Sequence, residues 1–156
     1  MDNKVNSCIA ALKNGADAAE KKFGIPSSFT IAQGALESGW LTSRLSLEAN
    51  NVFGIKADKS WIGKVFIMPT REFLNHTWIT EFAHWRHYDS LADCLADHAQ
   101  FFLSNHRYAT ALQFPHDGKR FAEEVAKAGY ATDPEYSHKI ISVINAHGLK
   151  DVGAKA

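Results

Sequence analysis

The spacing of the apolar residues changes twice along this chain, and that change constrains the fold more than any other feature. Apolar residues recur at spacings of three and four over residues 3–23, and again up to about residue 38, which predicts two helices. Residues 61–88 instead favour extended structure, and the helical spacing returns after residue 90. The sequence therefore predicts an α+β fold with one dominant helical lobe and a small β-insert.

Serine, aspartate and proline mark where two of the helices are expected to begin. Ser27 and Ser28 are N-cap candidates for the second helix. Asp133 followed by Pro134 predicts the start of the last helix, with the aspartate at the N-cap and the proline in the first turn. The tail over residues 150–156 is expected to be loose.

The extended region is expected to hold about three short antiparallel strands. Its residues are rich in β-branched and aromatic side chains, which suit strands. Pro69 interrupts the first run of such residues, and Asn75 and His76 form a plausible turn between later runs. The predicted sheet is therefore small and built from consecutive segments.

Composition points to one domain and excludes several classes of function. The chain has 156 residues, 46% of them hydrophobic, which suits a single domain with a sizeable core. Lysine plus arginine equals aspartate plus glutamate, 17 each, without a basic run, so nothing favours nucleic-acid binding. No apolar run approaches the roughly 20 residues that span a bilayer. We expect a monomer.

The first residues bear on where the chain is made, and the two cysteines on whether it contains a disulfide. Residues 1–6 lack a basic segment followed by an apolar one, so no secretory signal is predicted, and we expect synthesis in the cytoplasm. Cys8 and Cys94 do not form a disulfide framework. Both are expected to be buried free thiols, since cysteine behaves as a small apolar residue.

One carboxylate stands near the end of the second predicted helix, between Gln33 and Trp40. Helix C-terminal carbonyls carry partial negative charge, which disfavours an ionised Glu37, and partial burial against Leu36 and Trp40 would act in the same direction. A carboxylic acid that keeps its proton near neutral pH is what cleavage of a glycosidic bond requires. Glu37 is therefore a candidate general acid.

The position of Glu37 on its helix predicts that it faces a groove. Gln33 lies four residues earlier, so the two side chains share one face of the helix. Ile31 and Ala35 lie on another face. We expect the apolar face to pack in the core while Glu37 stays accessible.

The histidines do not predict a metal site. His84 and His87 are three apart in an extended segment, so their side chains point to opposite sides of the strand. His98 and His106 lack a carboxylate at ligand spacing. There is no glycine-rich phosphate loop and no Gly-x-Ser-x-Gly elbow. We predict neither a metal nor a cofactor.

Six segments, in order, carry a specific pattern. They are 31–40 (IAQGALESGW), 51–56 (NVFGIK), 61–63 (WIG), 70–73 (TREF), 85–90 (WRHYDS) and 129–136 (GYATDPEY). Together they resemble the glucosaminidase domains of glycoside hydrolase family 73, which include phage and bacterial autolysins and the hydrolase domain of the flagellar rod-capping protein. The resemblance covers about residues 25–149, and we expect the helix over 3–23 to pack on this core within a single catalytic domain of residues 1–156.

The resemblance implies a lysozyme-like fold, in which a large helical lobe and a small antiparallel β-lobe enclose a cleft for peptidoglycan. The family hydrolyses the β-1,4 bond between N-acetylglucosamine and N-acetylmuramic acid. The resemblance assigns the catalytic acid to Glu37 and a second carboxylate to Glu72. Glu81 competes with Glu72 in the β-insert, but Glu72 fits the Thr-x-Glu-aromatic pattern better.

The resemblance also suggests which residues bind substrate. It places the aromatic side chains of Trp61, Tyr88 and Tyr130 in the cleft. Trp40, next to the catalytic acid, is a further candidate for substrate binding. Asn51 is expected either to hydrogen-bond substrate or to cap the turn before Phe53.

Three chemical routes stay open for the second catalytic role. Glu72 could activate a water molecule, giving inversion, or act as a nucleophile, giving retention. Alternatively the 2-acetamido group of the substrate attacks, with Tyr88 orienting or stabilising it.

The function predicted first is a peptidoglycan endo-β-N-acetylglucosaminidase that acts on glycan strands of the cell wall. We expect a phage or prophage endolysin released through a membrane lesion, with a bacterial autolysin or exported effector as other origins. The alternatives are a muramidase or lytic transglycosylase on the same fold, and a wall-binding module without catalysis.

Overall fold

The computed structural model describes residues 3–153 and confirms the α+β class. Residues 1–2, from the segment considered as a secretory signal, and residues 154–156 of the tail lie outside this range. The helices are α1 (Asn3–Phe23), α2 (Ser27–Ser38), α3 (Arg44–Ala49), α4 (Leu91–Ser104), α5 (Gly118–Lys127) and α6 (Tyr136–Ala146). The strands are β1 (Lys64–Leu74) and β2 (Thr77–His87), and short 3₁₀ turns cover His106–Tyr108 and Ala111–Gln113.

Helix α2 lies at the centre of the helical lobe. Ten of its twelve residues are buried, and many of them are Gly, Ala, Ser or Thr. These small side chains allow close approach, since a Cβ added at Gly34 would lie 3.1 Å from Leu12 of α1 and 3.2 Å from Val52. One added at Gly118 of α5 would overlap the Ser28 hydroxyl. The helix that carries Glu37 is therefore fixed on nearly all sides.

Two apolar clusters flank α2. In one, Phe29 contacts Phe102 of α4 edge-on at 5.7 Å between ring centroids and Phe121 of α5 at 4.7 Å. The other includes Cys8 and Cys94. Both cysteines are buried free thiols, as predicted.

The predicted caps of α2 are wrong. The N-cap is Pro26, and Ser27 and Ser28 lie inside the helix and are buried. Carboxylates from distant segments take over the capping, because the Ser27 N–H donates to Glu20 at 2.8 Å and the Ser28 N–H to Asp151 at 2.8 Å. Negatively charged hydrogen-bond acceptors suit a helix N-terminus, and only the tertiary structure brings these two carboxylates there.

The tail is anchored over its described part, residues 150–153, rather than loose. Asp151 also accepts the N–H of Gly118 at 2.8 Å, so one carboxylate caps two helices. The N–H groups of Val152 and Gly153 donate to the buried Glu20. Burial alone would raise the pKa of Glu20, but these hydrogen bonds outweigh it and hold the pKa below its usual value.

The last helix begins later than predicted. Helix α6 starts at Tyr136 with Glu135 at the N-cap, and Asp133 accepts the Glu135 N–H at 2.9 Å in the preceding turn. The aspartate therefore stabilises the approach to the helix rather than its first turn. This shift places Tyr136 at the start of α6.

The β-insert is one long hairpin, which corrects the prediction of about three short strands. β1 and β2 pair antiparallel over eleven positions, and the turn at Asn75 and His76 is confirmed, with both φ angles positive as in a type I′ turn. Pro69 lies inside β1 opposite Phe82. A sheet of two strands has only edge strands, where a residue without an N–H is tolerated, so the proline does not end the strand.

The base of the hairpin is fixed to the loop that follows α3. The Arg86 N–H donates to the carbonyl of Ile55, and the Ala57 N–H to that of His84. Towards the turn, Phe73 and Trp78 are exposed. No helix of the described part of the chain has the length and apolarity needed to cross a membrane.

Candidate active site

A cleft of about 940 Å³ opens beside the end of α2. Its walls come from α2, the loop after α3, the end of α4 and the loop before α6. The structure brings three of the predicted site residues into it, namely Glu37, Trp61 and Tyr130. The lining also includes further charged side chains, three basic and two acidic, namely Lys56, Arg86, Arg107, Asp58 and Asp97. The cleft therefore combines carboxylates, aromatic rings and cations.

The end of α2 presents Glu37 through a strained turn. Gly39, Trp40 and Leu41 all have positive φ angles, of 58°, 63° and 64°. Bulky residues disfavour this conformation, and such strain is typical of functional sites. The Ser38 hydroxyl accepts the Leu41 N–H at 2.8 Å and stabilises the turn. The helix therefore ends at Ser38, one residue after Glu37.

Glu37 is exposed, which corrects the expectation of partial burial against Leu36 and Trp40. Gln33, which shares its face, is completely buried, so that face opens only in its last turn. Trp40 is not among the residues that line the cleft, and its ring lies edge-on to His147 at 5.1 Å.

The carboxylate of Glu37 is held by Tyr136, which was not among the predicted site residues. The Tyr136 hydroxyl donates to Glu37 Oε1 at 2.9 Å. Gln33 Nε2 donates to the same hydroxyl at 2.9 Å, and Gln33 Oε1 lies 2.6 Å from His98 Nε2. The i, i+4 spacing of Gln33 and Glu37 was the only sequence signal for this network.

His98 is a buried, neutral residue of this network. It is 1% exposed and its ring stacks on Phe53 at 3.6 Å between centroids and 10° between planes. Burial lowers its pKa from an ordinary 6.5 to about 3. Within residues 3–153, no group of three or more histidine, cysteine, aspartate or glutamate residues is arranged to hold a metal ion.

The buried His98 predicts a specific acid sensitivity. Between its ordinary pKa of 6.5 and its folded value of about 3, the unfolded chain binds a proton that the folded chain does not. Stability must therefore fall as the pH drops through this range, by up to about 1.4 kcal/mol per pH unit. The measurement is the free energy of unfolding in urea at pH 7 and at pH 5. Its decrease between the two pH values is expected to be about 1–2 kcal/mol smaller in His98→Gln than in the wild type. The exposed His138→Gln is the control, and equal losses in wild type and His98→Gln would contradict the prediction.

Tyr130 forms a rigid wall of the cleft. Its ring stacks on Tyr136 at 5.5 Å and on Phe102 at 5.9 Å, and Arg107 donates to the carbonyl of Gly129 at 3.3 Å. Burial, followed by the nearby charge of Glu37, raises the pKa of Tyr130. Its hydroxyl therefore stays protonated and can donate a hydrogen bond within the cleft.

Trp61 is fixed in its loop by polar and aromatic contacts. Its Nε1–H donates to the carbonyl of Lys64 at 2.7 Å, and the Arg86 guanidinium lies 5.0 Å from its ring. Tyr88 meets the ring edge-on at 5.4 Å. The indole also lies so close to Gly63 that an added Cβ would overlap it. This half-buried indole can serve as a platform for a sugar ring.

Gly63→Ala is expected to displace this indole. The added methyl group overlaps the ring, so Trp61 must leave its position. We expect KM for a glycan that stacks on this ring to rise about threefold to tenfold with little change in kcat, because a stacking contact is lost away from the reacting bond. Steady-state kinetics would measure this, with the exposed Lys59→Ala as the matched loop control. A fall in kcat at constant KM would contradict it.

Tyr88 contacts Trp61 and is not among the residues that line the cleft around Glu37. It is 3% exposed, and its hydroxyl donates to Asp97 at 2.6 Å. Asp97 is also bound by Arg86 at 2.8 Å. Burial raises the pKa of Tyr88, so the hydroxyl remains a donor committed to this pair. Its geometry is that of a support for the Trp61 loop.

Asn51 is a brace inside the loop after α3. It is 1% exposed, and its side-chain amide donates to the carbonyls of Ile55 and Arg86 while accepting the Ile55 N–H. These backbone groups use its donors and its acceptor, as in the structural alternative, while a contact with substrate stays a prediction. Asn51 connects this loop to the hairpin base.

The two candidate second carboxylates share one face of the hairpin. Glu72 pairs with Ile79 and Glu81 with Thr70, and side chains two residues apart on a strand point the same way. Both are exposed, and neither is among the residues that line the cleft around Glu37. The hairpin therefore carries two exposed carboxylates on one face, outside the lining of the cleft around Glu37.

These features define a class of protein. A helical lobe, a β-hairpin beside it and a cleft with an accessible glutamate at a helix end are the architecture of a lysozyme-like glycosidase. The sequence matches the family described as "Glucosaminidase: Mannosyl-glycoprotein endo-beta-N-acetylglucosaminidase" over residues 13–149. The chain belongs to this glucosaminidase family, family 73 of the glycoside hydrolases. The match begins within α1, earlier than the sequence motifs indicated.

Known proteins similar to the chain come from several bacteria. The peptidoglycan hydrolase FlgJ of Vibrio cholerae is 38% identical over 141 residues, which cover 88% of this chain and 42% of that protein. The exo-glucosaminidase LytG of Bacillus subtilis is 32% identical over 148 residues, which cover 92% and 51%. The chain thus spans about half the length of these relatives, or less. The glycoside hydrolase domain of Salmonella typhimurium FlgJ has a TM-score of 0.81 at 32% identity, covering 95% of this chain and all of that truncated domain.

Proposed function

We propose that this protein is a peptidoglycan endo-β-N-acetylglucosaminidase that cleaves the β-1,4 bond between N-acetylglucosamine and N-acetylmuramic acid. The observation that carries the proposal is the placement of Glu37, Trp61 and Tyr130 around one cleft at the strained end of α2. Membership of the glucosaminidase family supports the sugar specificity. Residues 1–156 act as a single catalytic domain, and we propose a monomer because one chain supplies the whole cleft.

Glu37 is the general acid in this proposal. Its Oε1 is held by Tyr136, while the carboxyl group remains exposed to the cleft. It protonates the glycosidic oxygen as the bond to the sugar breaks, which is the step that a positioned acid accelerates.

Glu72 supplies the second carboxylate, as the base that activates water or as the nucleophile. It lies on the exposed hairpin, so it reaches the sugar only if the hairpin approaches the helical lobe on binding. Trp61 and Tyr130 hold the sugar rings, and Tyr88, Asn51 and Trp40 support the loops around them. For Tyr88 we propose this supporting role because its hydroxyl is donated to Asp97, and the catalytic role stays a prediction.

The protein acts on the bacterial cell wall in our proposal. The bacterial peptidoglycan hydrolases to which it is similar support a wall enzyme of bacterial origin. They give no support to the predicted phage endolysin. The fragment sizes released by the enzyme also bear on its function, since one relative is called an exo-glucosaminidase.

The distribution of fragment lengths tests the endo mode of cleavage. Purified sacculi would be digested for increasing times, and the soluble glycans separated by length. An endo-acting enzyme releases long and intermediate chains first and short ones later. Release of disaccharides alone from the earliest times would replace the proposal with an exo-glucosaminidase, and anhydro ends on the fragments would replace it with a lytic transglycosylase.

A further inference from the structure

Three hydrogen bonds connect the candidate acid to the interior of the helical lobe. They run from His98 on α4 to Gln33 on α2, then to Tyr136 on α6, and finally to Glu37, with donor–acceptor distances of 2.6, 2.9 and 2.9 Å. The three supporting side chains are buried, at 1%, 0% and 8% exposure. One network thus ties together three helices and ends at the cleft.

The direction of each hydrogen bond can be assigned by starting from Glu37, the member of the network that lies in the cleft. An ionised Glu37 can only accept, so the Tyr136 hydroxyl must donate to it and must itself accept from Gln33. The Gln33 amide therefore turns its NH₂ group to Tyr136 and its carbonyl oxygen to His98. That oxygen needs a donor, which places the single proton of the neutral imidazole on Nε2.

The other imidazole nitrogen agrees with this assignment. In the described part of the chain, His98 Nδ1 is buried without a hydrogen-bond partner. On the opposite tautomer an N–H would be buried there without an acceptor, while Nε2 would face the Gln33 oxygen without a proton. Both faults disappear when Nε2 carries the proton.

We propose that His98, Gln33 and Tyr136 are positioning residues that hold one donor on Glu37 Oε1 and thereby favour the carboxylate formed during catalysis. This inference rests on the proposed function, with Glu37 as its acid. The occupied Oε1 leaves Oε2 to carry the transferred proton. As the Oε2–H bond breaks, the proton passes to the glycosidic oxygen, which also takes the electron pair of the breaking C–O bond.

The network can accelerate the reaction because its last hydrogen bond changes strength during the step. A hydroxyl bound to a carboxylate makes a stronger hydrogen bond than one bound to a neutral carboxylic acid. The bond therefore stabilises the transition state more than the bound substrate. Its removal is expected to lower kcat about tenfold to fiftyfold, with KM unchanged within about twofold.

Tyr136→Phe is the central variant, because it keeps the ring that stacks on Tyr130 and removes only the hydroxyl. It is expected to lower kcat as stated. Thr30→Val is the matched control, since Thr30 is also buried on α2 and its hydroxyl has no partner in the described structure. Unchanged kcat in Tyr136→Phe, or an equal loss in Thr30→Val, would overturn the proposal.

The far end of the network offers a rescue test. His98→Leu removes the donor to Gln33, and His98→Gln places an amide N–H near the position of Nε2. We expect kcat to fall about fivefold to tenfold in His98→Leu and to recover most of that loss in His98→Gln. Equal kcat in the two folded variants would overturn the role of His98. If His98→Leu does not fold, the role of His98 is decided by comparing kcat of His98→Gln with kcat of the wild type and of Tyr136→Phe.

A spectroscopic test separates this proposal from the proposed function. The ¹⁵N shifts of the His98 ring, measured by NMR in the free protein, report which nitrogen carries the proton. A protonated Nε2 and a bare Nδ1 are expected, and a protonated Nδ1 would overturn the network whatever the enzyme cleaves. Failure of the wild type to cleave peptidoglycan, with the expected tautomer present, would instead count against the proposed function.

Discussion

Replacing Glu37 with glutamine is expected to lower kcat for cleavage of peptidoglycan about 10³-fold, the largest effect predicted for this protein. The amide has nearly the same shape but has no acid proton to give to the leaving oxygen. The Tyr136 hydroxyl can still donate to the amide oxygen, so the end of α2 should keep its geometry. The measurement is the rate at which reducing ends appear from purified sacculi.

Two controls make the Glu37→Gln result specific. Glu48→Gln changes another exposed glutamate, on α3, where only an ion pair with Arg44 is lost, so its activity is expected to match the wild type within about twofold. Glu37→Gln should also sediment with sacculi as well as the wild type does. Activity within tenfold of the wild type in Glu37→Gln would remove Glu37 from the role of acid.

The second largest effect is expected for Glu72→Gln, at about a 10²-fold loss of kcat. Loss of the carboxylate removes the group that activates water or attacks the sugar. Glu81→Gln is the matched variant, because it makes the same chemical change on the same face of the same hairpin. It is expected to keep activity within about threefold.

Two other outcomes of the Glu72→Gln and Glu81→Gln experiments would contradict the assignment of Glu72 as the second carboxylate. If Glu81→Gln loses activity and Glu72→Gln does not, the second carboxylate is Glu81. If neither variant loses activity, the reaction needs only the acid, as expected for a lytic transglycosylase or for attack by the substrate's own acetamido group. Both variants should unfold at temperatures within a few degrees of the wild type, since both side chains are exposed.

The sequence was sufficient to predict the fold class, because apolar spacing is a local property. The helix over residues 3–23 and the turn at Asn75 and His76 were found where predicted. The hairpin was divided wrongly at Pro69, because the effect of a proline depends on whether its strand has one neighbour or two. The caps of α2 were missed, since Glu20 and Asp151 reach it only through the tertiary fold.

The site could be predicted only in part, because several of its residues are positioned by partners that only the tertiary fold brings near. The position of Glu37 follows from its own helix, and the structure places it in a cleft with Trp61 and Tyr130. The structural positions of Tyr88 and Asn51 depend on partners such as Asp97 and Ile55, which no spacing rule connects to them. The network behind Glu37 joins residues 33, 98 and 136, and such long-range hydrogen bonds leave little trace in a single sequence.

The most direct test of the central claim is to identify the sugar at the new reducing end. Purified peptidoglycan would be digested with the wild-type protein, reduced with borohydride and examined by mass spectrometry. The account predicts reduced N-acetylglucosamine ends. Reduced N-acetylmuramic acid ends, anhydro-muropeptides, or sedimentation with the polymer without any released fragment would contradict it.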